Sequence, residues 1–159
     1  MARRVIKYLV IGLGTIFTLI VGLVAFSYFF PPTYEADARL PGSNSSIAVQ
    51  LQPMHPYLAE YRRAVVLRKP GASDLRKDMF PDTGGYSRTQ LYRLSNGRFV
   101  IQGFFDAFVI DPQAHSISAA DAKLVETAKY LGAFDDSRDG HWRFIPESED
   151  QMQRLGITK

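Results

Sequence analysis

The sequence predicts a single N-terminal transmembrane helix followed by a small mainly-β (α+β) domain. The domain is expected as an antiparallel meander, a sandwich or a small barrel with one or two short helices. Three observations point there. Residues 8–30 contain no charged side chain. Beyond them, short β-rich runs recur with turn residues between, the pattern of successive hairpins. The whole chain is 159 residues, room for about one domain once the apolar run is set aside.

At about 1.5 Å rise per residue, residues 8–30 make a helix about 34 Å long, enough to cross a hydrocarbon core of about 30 Å. Arg3, Arg4 and Lys7 precede the run, and no basic residue lies close behind it. Basic flanks stay cytoplasmic, so residues 1–7 are expected as a cytoplasmic tail and the C-terminal domain as extracytoplasmic, periplasmic in a bacterial source. Tyr8 at one end and Tyr28, Phe29 and Phe30 at the other suit the two aromatic belts, and Pro31-Pro32 ends the helix. A cleaved signal peptide is the rival reading, with Ala25-Phe26-Ser27 as its site. The apolar run continues past that site and exceeds the roughly 7–15 residues of a signal core. The same length argues against Arg3-Arg4 as a twin-arginine export signal. Gly14, Thr18, Gly22 and Ala25 share one helical face, where small side chains let another membrane helix approach closely.

Residues 31–44 are expected as a juxtamembrane linker with a first strand, and residues 45–159 as the β-rich domain. Ile47, Val49 and Leu51 alternate with polar or small residues, and residues 64–67 form a second β-rich run. In residues 89–105, Asn96-Gly97 marks a hairpin, expected as a type I′ turn. Residues 108–110 form another strand, closed by Asp111-Pro112 and answered by residues 116–118. An α-helix is expected after Ser118, which would cap it with Asp121, along the face of Ala120, Leu124, Ala128 and Leu131. Residues 131–134 and 142–145 read as strands, and residues 147–155 as a short final helix.

Zero cysteines exclude disulfides, thiolate metal sites, a cysteine nucleophile and a lipoprotein anchor. No nucleophile elbow, P-loop, dinucleotide fingerprint or H-E-x-x-H motif is present, and His55, His115 and His141 have no partners at metal-helix spacing. Asp135, Ser137 and Asp139, followed by Gly140, match the opening half of a calcium loop. Pro146 stands where an EF-hand would place its closing Glu. Calcium is therefore the one cofactor considered, and a polar turn is the plainer reading. Asp82-Thr83-Gly84 resembles the D-T-G of aspartic proteases over three residues. That resemblance implies a second carboxylate sharing a proton with Asp82, but Pro81 replaces the apolar strand that precedes the family's Asp. Asn44-Ser45-Ser46 is a glycosylation sequon.

The formal net charge is +3, and it resides in Arg3, Arg4 and Lys7. Residues 31–159 carry 16 basic and 16 acidic side chains, so the high pI signals topology and gives no reason to expect nucleic acid as a partner. Within that neutral domain, residues 61–98 hold nine basic and three acidic residues. Arg62, Arg63, Arg68, Lys69, Arg76 and Lys77 are accordingly expected on one docking face. The sequence thus suggests a non-catalytic single-pass accessory or stabilising subunit that docks on a larger membrane complex, with lipid and other transmembrane subunits as partners. The alternatives are a membrane-tethered module binding a metal ion or an envelope ligand, and an aspartic-type hydrolase acting through Asp82.

Overall fold

The computed structural model describes residues 2–55, 57–84, 87–136 and 140–150. Helix α1 spans Ala2–Phe29, so Arg3, Arg4 and Lys7 ride on its first two turns. Nothing in the sequence breaks the helix before Tyr8, since Ala, Arg and Lys are all good helix formers. The hydroxyls of Thr15 and Thr18 donate to the carbonyls of Ile11 and Gly14 at 3.0 and 2.9 Å, which satisfies them within the helix.

Ten strands follow: β1 (Tyr34–Arg39), β2 (Ser46–Pro53), β3 (Tyr61–Arg68), β4 (Leu75–Asp82), β5 (Thr89–Arg93), β6 (Phe99–Gln102), β7 (Ala107–Asp111), β8 (Ser116–Ala119), β9 (Lys129–Asp136) and β10 (Trp142–Pro146). They form two antiparallel sheets that do not close into a barrel. One is the meander β1-β2-β3-β4. The other has the order β10-β9-β5-β6-β7-β8, in which the chain returns across the sheet to set β9 beside β5. The sheets stack as a sandwich, with β1 against β10 at one side and β4 against β8 at the other. The Trp142 indole N–H donates to the Val49 carbonyl at 3.0 Å and ties β10 to the first sheet.

Strand periodicity explains the core. Ala36, Ala38, Ile47, Val49, Val65 and Leu67 face inward from the first sheet, and Leu91, Phe99, Ile101, Phe108, Ile110 and Phe134 meet them from the second. The second sheet also buries its outer face. Tyr92, Val100, Val109 and Tyr130 lie there under Val125 and Ala128 of the segment linking β8 to β9.

Several local expectations are corrected. The expected α-helix after Ser118 is a 3-10 helix, Ala122–Thr127. It is capped by Asp121, whose carboxylate accepts from the Lys123 N–H at 2.9 Å. Ser118 belongs to β8, and residues 129–131 join β9. Sheet pairing with β5 takes the residues a longer helix would need, and Ala128 serves as sheet cover. The Asn96-Gly97 turn is not type I′. Gly97 has φ +82°, while Asn96 is not left-handed, and the Gly97 N–H donates to Leu94 at 3.1 Å. This is a three-residue connection with Gly97 at the left-handed position. Strand β4, read from sequence only as a source of cations, is an edge strand that accommodates Pro81 because one side of it needs no donor. Of the expected final helix, residues 147–150 form a turn, and the remainder lies outside the described residues.

Candidate docking surface at the helix-proximal end

Only Phe30, Pro31, Pro32 and Thr33 separate α1 from β1. Strand register then places the start of β1, the end of β2, the start of β3 and the end of β4 at the end of the sandwich where α1 arrives. The second sheet is locked to that end by polar contacts. The Arg63 guanidinium donates to the Thr89 hydroxyl, and the Phe80 N–H donates to the Asp106 carboxylate at 2.5 Å. The β6–β7 turn, closed by the Gly103 N–H to Asp106 carbonyl bond of 2.8 Å, is therefore at the same end.

That end exposes large apolar side chains, beside polar Thr83, Asp136 and His141. Tyr57 is 83 % exposed, Phe105 68 %, Phe104 61 %, Leu58 58 % and Phe80 49 %. The Phe80 and Phe105 ring centroids are 4.9 Å apart, and those of Phe104 and Phe105 are 4.6 Å apart. Beneath them, Arg63 is only 3 % exposed. Burial pushes its guanidinium down, against the opposing charges of Asp106 and Asp82. A Cβ at Gly103 would lie 2.4 Å from an Asp106 carboxylate oxygen, so a larger residue there would displace the carboxylate that holds Phe80. The β2–β3 loop, through His55, Tyr57 and Leu58, faces residues 20–29 of α1 across an open apolar groove of about 510 Å³.

The helix side of this surface contains the small-residue face. A Cβ added at Gly14 or Gly22 would meet nothing within 4 Å, and Ala25 lines the groove. In the sequence the exposed rim shows only as the apolar pairs Tyr57-Leu58 and Phe104-Phe105. Their exposure depends on each lying at a strand end.

The six cations do not form one face. Arg63 is buried. Arg62, Arg68 and Arg76 lie on the outer row of the first sheet, and Lys77 lies on the opposite row of the edge strand, exposed. Lys69 reaches the Gln113 carbonyl at 3.2 Å at the far end. Arg68 bridges Asp37 and Glu35 at 2.7 Å and Asp74 at 3.2 Å, while Arg76 pairs with Asp78 at 3.2 Å. The hydrogen bond from Arg68 holds the Glu35 carboxyl below the usual range, whereas burial raises Asp37. These ion pairs lie on the outer face of the first sheet, where Ala48, Ala64 and Val66 are buried. The segregation of charge along the chain is undone by cross-strand pairing.

Asp135 is already engaged. Its carboxylate accepts from Arg88 at 2.7 Å and from the Asp136 N–H at 2.9 Å. Ser137 and Asp139 lie outside the described residues, among which no group of three His, Asp or Glu side chains could hold a metal ion. Asp82 closes its own turn, accepting from the Gly84 N–H at 3.1 Å and from the Ser87 hydroxyl.

Arg88, 1 % exposed, also donates to the Tyr130 hydroxyl at 3.1 Å and to Asp150, pinning the C-terminal turn over the second sheet. Burial, then the hydrogen bond to Asp150, pushes the Tyr130 hydroxyl well above its ordinary value of 10.0. The folded state thus favours the neutral phenol. Its contribution is complete below pH 10 and is lost as pH rises above that value. Tyr130→Phe should therefore flatten the alkaline loss of stability, measured by urea melts from pH 8 to 11, while lowering stability by about 1 kcal/mol at pH 7.

No family model, no curated protein and no solved structure matches this chain.

Proposed function

We propose that this chain is a non-catalytic single-pass membrane subunit. Its helix anchors it and docks on a larger membrane complex, with Arg3, Arg4 and Lys7 cytoplasmic and the β-sandwich extracytoplasmic. One observation supports this above the rest. The most apolar 18-residue window of α1, within Arg3–Phe29, has a mean hydropathy of 2.6, and none of its residues is buried by the rest of the chain. A soluble core helix hides its apolar surface inside its own fold, whereas this one leaves its apolar surface unburied. The sandwich supports the accessory role. Arg63, Arg68 and Arg88 are bonded within the fold.

Packing in lipid relies on close van der Waals contact, so the open face of Gly14, Thr18, Gly22 and Ala25 is the partner-facing side of α1. Gly14→Leu and Gly22→Leu fill that face without any clash inside the chain. After extraction in mild detergent, each variant should recover about tenfold less partner, equivalent to about 1.4 kcal/mol, with membrane insertion unchanged. Unaltered recovery of stoichiometric partners would remove this face from the interface. An intact mass of 17.9 kDa in the membrane fraction is expected for an uncleaved anchor. A species cut after Ala25 or Ser27 would identify a signal peptide instead.

A further inference from the structure

We infer that the helix-proximal end of the sandwich is a lipid-contacting face, seated in the outer headgroup region, with Tyr57-Leu58 and Phe104-Phe105 as its two insertion points. The inference rests on the reading of α1 as a membrane span.

The large apolar side chains that the domain exposes are gathered at one end of its long axis. Beyond α1 and the adjoining Phe30, the exposed large apolar side chains among the described residues are Tyr34, Tyr57, Leu58, Phe80, Phe104 and Phe105, together with Leu124 at 38 %. The first six lie at the end where α1 arrives. The opposite end consists of polar turns, Gly42-Ser43-Asn44, Pro70-Gly71, Asn96-Gly97 and the β7–β8 turn around Gln113. A scattered apolar surface needs no explanation, whereas one gathered at a single end marks a contact.

Continuity with α1 selects lipid as the occupant. His55, Tyr57 and Leu58 face residues 20–29 of the helix across the open groove. Those residues span about 14 Å of helix rise. With Phe30 at the outer boundary of the bilayer, the loop extends past that boundary into the depth the helix itself occupies. The exposed side chains match the site. Tyrosine suits the interface, Phe and Leu suit the upper acyl region, and the exposed Arg62 beside Tyr61 can keep its guanidinium at phosphate level.

The second insertion point is braced rather than floppy. Phe104 and Phe105 sit on the tight turn between Gly103 and Asp106, and the Asp106 carboxylate also holds the Phe80 backbone. The braced Phe104-Phe105 turn and a link of only four residues limit how far the sandwich can swing over the membrane.

The absence of cysteine makes the test direct. Four single-cysteine variants of the full chain, Leu19→Cys, Leu58→Cys, Phe105→Cys and Ala114→Cys, are labelled with nitrobenzoxadiazole. They are then reconstituted in phosphatidylcholine–phosphatidylglycerol vesicles. Quenching by nitroxide lipids and by aqueous iodide reads the depth of each label. Labels at 58 and 105 should lie about 5–10 Å below the headgroup boundary, while the label at 114 is reached only by iodide. If the label at 19 is quenched by lipid nitroxide but those at 58 and 105 respond like 114, the span stands and the lipid-seated face is wrong. If the label at 19 is itself open to iodide, the membrane span is wrong and this inference goes with it. A label at 105 shielded from iodide yet beyond reach of lipid nitroxides would mean that protein, not lipid, covers the face, and would also overturn it.

Discussion

Gly132→Ala should lower the melting temperature by roughly 12–20 °C, more than any other glycine-to-alanine change in the sandwich. Gly132 sits inside β9, paired with Leu91 on one side and Pro146 on the other, with φ +148°. A Cβ there would lie 2.3 Å from the Ile145 carbonyl oxygen, 2.9 Å from the Pro146 Cα and 2.7 Å from the Phe144 ring. Two of these contacts are backbone, so no rotamer change relieves them and β10 must move as a unit. That movement disturbs the Phe134–Phe144 pair, whose centroids are 5.1 Å apart, and the Trp142 tie to Val49. Overpacking combined with a strained backbone costs about 3–5 kcal/mol, and about 4 °C accompanies each kcal/mol in a domain of this size. Gly71→Ala is the control. Its φ is +81° but a Cβ would meet nothing within 4 Å, so only the conformational cost of about 1 kcal/mol remains. Scanning calorimetry of both variants separates the two contributions. Equal melting temperatures would show that β10 accommodates the methyl group.

Arg88→Met should cost about 3–5 kcal/mol, by withdrawing a buried cation from between two carboxylates. Arg88 reaches Asp135 at 2.7 Å and also bonds Asp150, whose side chain is 2 % exposed. Met preserves volume, so the loss reads the charge rather than a cavity. The second variant, Arg88→Met with Asp150→Asn, removes one of the facing charges and should recover about 1–3 kcal/mol of the loss, a coupling read from a double-mutant cycle in urea. A double variant no more stable than Arg88→Met would show that the Arg88–Asp150 pair contributes nothing beyond its packing.

The legible parts of the fold were those written in neighbouring residues. The alternation of Ile47, Val49 and Leu51 became β2, the Asn96-Gly97 hairpin joined β5 to β6, and Asp111-Pro112 closed β7. The errors arose where local and distant preferences compete. Ala120, Leu124 and Ala128 have helical spacing, yet pairing of Tyr130 and Ala133 with β5 outweighs a helix there. Strand β4 was invisible because its exposed edge position permits Arg76, Lys77 and Asp78 in succession, erasing the alternation by which strands are recognised. The docking face failed for the same reason. Consecutive Arg62 and Arg63 point to opposite faces of one strand, so one is exposed and the other is in the interior.

The sequence alone determined the apolar helix, its basic flank, the neutral charge of the domain and its β character, because each is a sum or a period over adjacent residues. Tertiary structure decided which sheet each hairpin joins, which charges neutralise one another and where the exposed aromatics gather. Arg63 meets Thr89 and Phe80 meets Asp106 across 26 residues, and Arg88 meets Asp150 across 62. Contacts at such separations depend on strand order and register, and a one-residue shift in register would exchange buried for exposed along an entire strand.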